Sequence, residues 1–286
     1  MRNSLIGISC GLLALAGAVL PLCAQDQAPG WTGSAELSYV MTQGNTETST
    51  LGMKANTSRK LNGSELTFRA AAVRAETTAF DRFAIGFDDD DFRVIENSDS
   101  NTSAEAYMLS GRYDRKLTER LLWYAGLGWE RNRFAGIENR SVAETGLGHI
   151  WYDTETRKLR TSYALTYTDQ EDVIETPDSV GTFLGARLTG EYMQKFGQAT
   201  TFQSTLILDD NLDETDDFRG DWTNSLAVSM SKVLALKVSV QWLYDNVPAF
   251  QGIPLYDPKT GEQLDTVPFQ LDELDTIFTT SLVLTF

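Results

Sequence analysis

The last twelve residues, Asp275-Thr-Ile-Phe-Thr-Thr-Ser-Leu-Val-Leu-Thr-Phe286, alternate in character up to a terminal aromatic ring. Phe278, Leu282, Leu284 and Phe286 fall on one face with Thr280 between them, and Thr279, Ser281 and Thr285 fall on the other; Val283 is the exception. A period of two sends successive side chains to opposite faces of a sheet. A two-faced strand closing on phenylalanine is the usual final strand of a bacterial outer-membrane barrel, with its ring at the membrane edge. Those four apolar residues are therefore the expected outer-membrane targeting strand, read by the barrel-assembly machinery during insertion.

The rest of the chain repeats this pattern. Eleven further segments alternate, beginning with Trp31 to Gln43, where Trp31, Gly33, Ala35, Leu37, Tyr39 and Met41 share a face. Gly44-Asn45 and Asn62-Gly63 are hairpin signals between early segments. Connections from even to odd segments are short. Those from odd to even, after the first, are longer: 77–101, 132–140, 169–178, 209–221 and 246–271 read as loops. Outer-membrane barrels have an even strand number, short periplasmic turns and longer extracellular loops. The expectation is an all-β antiparallel transmembrane barrel of about twelve strands spanning 31–286, with long acidic loops outside.

All six tryptophans lie near a segment end and on the apolar face, as two interfacial girdles require. An unpaired backbone group in hydrocarbon costs several kcal/mol, so only a closed ladder can span. The same register points Glu36, Lys54, Arg69, Arg112, Glu130, Glu144, Arg160, Arg187, Glu191 and Lys237 inward. Mixed signs at that density predict an inner wall of cross-strand ion pairs.

The start of the chain agrees with export. Met1-Arg2-Asn3-Ser4 leads into an apolar run from Leu5 to Leu22 and a small residue, Ala24, before Gln25. This is the pattern of a signal peptide over 1–24, cleaved on export through the periplasm to the outer membrane, followed by a short segment 25–30. Leu22 is bulky for lipoprotein processing at Cys23, and the run is short and glycine-broken for a retained anchor. Both cysteines, Cys10 and Cys23, belong to this leader, so the mature chain has no thiol chemistry. Removing it leaves 23 basic against 40 acidic residues, a net charge of −17, which argues against nucleic acid as a partner.

With these features in place, the chain resembles a known group. The opening Trp31-Thr-Gly-Ser-Ala-Glu-Leu-Ser-Tyr39, the following Thr42-Gln-Gly-Asn-Thr46, Arg112-Tyr113-Asp114 and Gly146-Leu-Gly-His149 are similar to the salt-induced outer-membrane proteins. That family is defined by domain of unknown function 481, and the resemblance runs from about residue 31 to the C-terminus. It implies an outer-membrane barrel and a link to salt or osmotic stress. It brings no catalytic residues.

Chemistry-bearing features are few. Loops 77–101, 169–178, 209–221 and the region 245–275 hold 26 of the 40 acidic residues. Asp88, Asp89, Asp90 and Asp91 are candidate weak ligands for Ca²⁺ or Mg²⁺, since hard cations take carboxylate oxygens. Such ions would also bridge the loops to lipopolysaccharide. Against this stands a simply solvated, repulsive surface, and no EF-hand spacing is present. His149 is the only histidine; Trp151 occupies the place where a barrel lipase carries its serine. No catalytic or cofactor-binding motif is found. The leading expectation is a non-enzymatic barrel, either a narrow passive pore, mildly cation-preferring by its acidic mouth, or a structural protein. The alternatives are a barrel enzyme acting on lipid or lipopolysaccharide, and a soluble secreted β-protein binding a partner through its acidic loops.

Overall fold

The computed structural model describes residues 30–42, 46–86, 92–133, 135–174, 181–214, 216–257, 260 and 262–286. The expected leader and its cysteines lie outside them. Fourteen strands follow one another: β1 (Trp31–Thr42), β2 (Thr46–Leu61), β3 (Ser64–Gly86), β4 (Phe92–Lys116), β5 (Leu121–Asn132), β6 (Ile137–Asp153), β7 (Arg157–Asp172), β8 (Thr182–Phe196), β9 (Thr200–Asn211), β10 (Phe218–Ser229), β11 (Leu234–Asp245), β12 (Phe250–Tyr256), β13 (Gln263–Gln270) and β14 (Leu274–Thr285). Twelve of them close into an antiparallel barrel in the order β1-β14-β11-β10-β9-β8-β7-β6-β5-β4-β3-β2, while β12 and β13 pair only with each other.

Closure joins the two ends of the chain. Ser34 pairs with Thr285 and Leu37 with Leu282. The Gly33 and Phe286 backbones exchange hydrogen bonds of 2.9 and 3.0 Å. Gly33 also leaves room for the terminal ring: a Cβ there would sit 2.7 Å from Phe286.

At one end the connections are short: 62–63, 117–120, 154–156, 197–199 and 230–233. Three repeat one device, in which a hydroxyl accepts the amide three residues on: Leu121 to Thr118 Oγ1 at 3.0 Å, Arg157 to Thr154 Oγ1 at 3.0 Å, Leu234 to Ser231 Oγ at 3.1 Å. In the Asn62-Gly63 turn, Gly63 takes a left-handed φ of 74°.

Two expected loops are largely strand. Much of 77–101 continues β3 and β4 as a paired ribbon, from Thr77↔Asn101 to Gly86↔Phe92. A ribbon clear of the membrane has water on both faces, so it needs no apolar alternation while its backbone groups still pair. Within 246–271, β12 and β13 form a hairpin despite Pro254 and Pro268. A lone hairpin is all edge, so a missing N–H there costs no ladder bond where it faces outward.

The barrel is apolar outside. Leu37, Leu109, Leu127, Leu165, Leu184, Leu226, Leu236 and Phe278 stand on its outer wall, Phe278 with 68% of its surface exposed. Aromatic residues bound this band. Trp123 donates to Thr145 Oγ1 at 3.2 Å and Trp151 to Thr161 Oγ1 at 3.0 Å near the short-turn end. Trp222 donates to Ser204 Oγ at 3.1 Å near the other end and packs 5.1 Å from Trp242. Satisfying the indole N–H while leaving the ring in an apolar layer is what an interfacial girdle demands. Trp31 to Tyr39 on β1 covers nine residues, within the ~9–11 that a tilted strand uses to span a bilayer.

Candidate functional site in the barrel lumen

Everything that alternates away from the lipid face points into the cylinder, and there the polar residues organise in two layers. In the short-turn half, Arg112 clasps Asp114 through Nε at 3.0 Å and Nη2 at 2.9 Å. Arg160 reaches the same carboxylate at 3.7 Å and donates through Nε to Glu191 at 2.6 Å. Arg69 lies 3.8 Å from the other oxygen of Glu191. Arg69 stands on β3 and Glu191 on β8, on nearly opposite walls in the closed order. The layer therefore spans the lumen. On the far side of this half, Lys237 binds Glu36 at 2.8 Å across β14.

In the half toward the longer loops, Arg187 holds Asp209 at 2.6 Å and Glu144 at 3.0 Å. Above it, Gln170 Oε1 accepts from Arg140 at 2.7 Å and from Arg219 at 3.2 Å. Arg140 also meets Glu130 at 2.9 Å, and Arg219 meets Asp217 at 2.9 Å and Asp245 at 3.4 Å. This upper layer links β5, β6, β7, β10 and β11.

A strap lies over it. The segment between β11 and β12 reaches the β5–β6 connection on the opposite rim: a Cβ at Gly136 would sit 2.4 Å from Ala249 Cβ and 3.6 Å from Leu271 Cδ1. Leu271 N donates to Ala249 O at 3.1 Å, and Val173 N to Gly136 O at 2.8 Å. Pro248 and Ile137 are buried at this contact.

Small residues in the wall make room for a compact inner cluster. Tyr124 is fully buried (0% exposed) and packs with Leu122 and Ala164 inside the barrel, with Ile150 beside them. The Arg112 guanidinium lies 3.6 Å above the Tyr124 ring. On β6, between Tyr124 and Ala164, the inward positions are Gly146 and Gly148. A Cβ at Gly148 would meet Leu122 at 2.7 Å, and one at Gly146 the Tyr163 carbonyl oxygen at 2.0 Å.

The ten residues expected inside all take inward register positions, and nine of them enter the ion pairs described above. Lys54 is the tenth; it lines a cavity of about 170 Å³ with Ser34, Glu36, Asn56, Arg69 and Met108. Phe278, Leu282, Leu284 and Phe286 stand on the outer wall. His149 also faces outward, edge-on to Trp151 at 4.4 Å, away from the lumen groups. Asp88, Asp89, Asp90 and Asp91 lie outside the described residues, among which no cluster of three or more acidic, histidine or cysteine side chains has metal-holding geometry. Sequence reasoning missed Tyr124, Asp114 and the strap. The repeated glycine of Gly146-Leu-Gly148 at two inward positions was the readable sign that a bulky neighbour lies across that strand.

No curated protein matches this sequence. Among solved structures, the NanC porin is similar with a TM-score of 0.44 at 10% identity, over 88% of this chain and 98% of that one. A KdgM porin in complex with disordered oligogalacturonate gives 0.41 at 9% identity over 89% and 99%. An anion-selective porin from Comamonas acidovorans gives 0.38 at 12% identity over 90% and 98%. All three likenesses are loose. The family model described as "Protein of unknown function, DUF481" matches residues 35–261, and the chain belongs to that family.

Proposed function

We propose that this protein is a non-enzymatic outer-membrane barrel serving as a narrow passive pore for small solutes, here in a constricted state. The observation that carries this reading is the ion pair between Arg69 and Glu191, which crosses the lumen between nearly opposite walls. Twelve strands enclose a cylinder wider than eight-stranded barrels, whose interiors side chains just fill. Here charged side chains close the remaining width. An ion pair in contact with water contributes about 0–1 kcal/mol, so this bridge narrows the passage without sealing it. The Arg69 side chain is 46% exposed, consistent with such a weak contact. The short turns belong in the periplasm and the longer loops outside, with lipid and lipopolysaccharide around the wall. Export by the 1–24 leader is part of the same reading, as is a contribution to osmotic or salt stress through small-solute exchange.

A sealed, structural barrel is the second reading, favoured by the strap seated on Gly136. Planar-bilayer recordings separate the two. The pore reading expects small conductance steps from the folded wild type and larger ones from Arg69→Met. Silence from the wild type, from Arg69→Met and from a variant lacking 250–270 would establish the sealed barrel instead.

A further inference from the structure

The cavity beside the cross-lumen bridge has an unusual balance of groups for so acidic a chain. Of the charged side chains lining it, Lys54 and Arg69 are cationic and Glu36 alone is anionic. Glu36 is already neutralised by Lys237 at 2.8 Å. Lys54 has no ion-pair or hydrogen-bond partner among the described residues, and Arg69 has only the long contact of 3.8 Å to Glu191. Asn56 and Ser34 line the same cavity, and among the described residues their side-chain donors are unused. A further carboxylate that feels the Lys54 charge, Asp221, is engaged by Gln241 at 2.9 Å and Thr223 at 3.1 Å. An ammonium, a guanidinium, an amide and a hydroxyl thus line one half-open space, and apart from the long Arg69–Glu191 contact no acceptor among the described residues engages them.

We infer that this cavity is a binding site for a small oxyanion, a carboxylate or phosphate group, held by Lys54 and Arg69 with Asn56 and Ser34 completing its hydrogen bonds. Arg69 presents a planar fork matched to two oxygens, and Lys54 a compact point charge. At about 170 Å³ the cavity takes one small anionic group or a few waters, a water's share of liquid being ~30 Å³. The site competes with the constriction: an anion on Arg69 draws the guanidinium off Glu191, so occupancy and widening of the lumen go together. The inference rests on the lumen being open to small solutes, the reading given above. It also opposes the cation preference expected from the acidic mouth at this one level.

The test uses the full-length barrel folded in detergent, titrated with inorganic phosphate and separately with acetate by calorimetry at low salt. Binding of either at millimolar concentration is expected, weakened about tenfold or more by the double variant Lys54→Met/Arg69→Met. Binding should also tighten with Glu36→Gln, which removes the only carboxylate in the cavity; a merely structural role for these residues predicts no tightening. The two anions distinguish phosphate from carboxylate as the preferred head. In bilayers, the double variant should move the reversal potential in a KCl gradient toward cation preference. No heat of binding for either anion, or binding unchanged in the double variant, overturns the site even where conductance is normal. Binding without conductance keeps the site and removes the pore.

Discussion

Glycine positions inside the wall are the sharpest single-residue determinants. At Gly146 a Cβ would stand 2.0 Å from the Tyr163 carbonyl oxygen, a backbone atom that cannot swing away. Gly146→Ala should therefore cost about 3 kcal/mol or prevent folding, measured as the urea midpoint of the vesicle-folded barrel by tryptophan fluorescence. Gly190→Ala is the control, since nothing lies within 4 Å of its Cβ position, and it should shift that midpoint little. Arginines divide in the same way. Arg112 covers Tyr124 and supports Asp114, which is buried, so Arg112→Met should destabilise by about 2–3 kcal/mol in the same assay. Arg69→Met, at a half-exposed bridge, should cost under about 1 kcal/mol while changing conductance. Equal losses from the two would show that the bridge is a structural tie.

Among the elements, β14 and the β12–β13 hairpin have opposite roles. β14 closes the cylinder, and the residue that follows it, Phe286, exchanges two backbone hydrogen bonds with Gly33. Deleting Phe286 should lower the yield of folded barrel in outer-membrane fractions, read as loss of the band that shifts on boiling. The hairpin pairs with no barrel strand. Replacing 250–270 by a short Gly-Ser linker should leave that band intact and raise conductance by loosening the strap on Gly136. Failure of this variant to fold would make the hairpin part of the barrel's stability. The β3–β4 ribbon was hidden from the sequence for a related reason. Alternation reports a strand only where its two faces meet different surroundings, whereas the β3–β4 ribbon is held by backbone pairing from Thr77↔Asn101 to Gly86↔Phe92, which needs no alternation.

For the molecule as a whole, burial runs opposite to that of a water-soluble protein. Large apolar side chains stand outside, while the small buried set is mixed: Tyr124 and Leu122 beside Ser162, Thr166, Thr168 and Asn211. Such a surface is stable only where lipid or detergent replaces water, since exposed hydrocarbon is costly in water while a closed ladder leaves its strands' backbone groups paired in lipid. Unboiled samples from outer-membrane fractions should migrate differently from boiled ones on a gel. A chain that stays dissolved and compact without detergent would remove both the membrane assignment and the reading of the lumen.

The strand number of the barrel, the apolar and polar faces, the aromatic girdles and the inward positions of Glu36, Lys54, Arg69 and the other lumen charges follow from local alternation. Each is a property of a single strand in a two-sided setting. Partnerships are another matter. That Arg69 meets Glu191, that Arg187 chooses Glu144 and Asp209, and that the last connection lies on Gly136 depend on which strands oppose one another around a closed circle. Period-two patterning carries the face of each side chain but not its neighbour across the lumen, so only the tertiary structure decided how the barrel is filled.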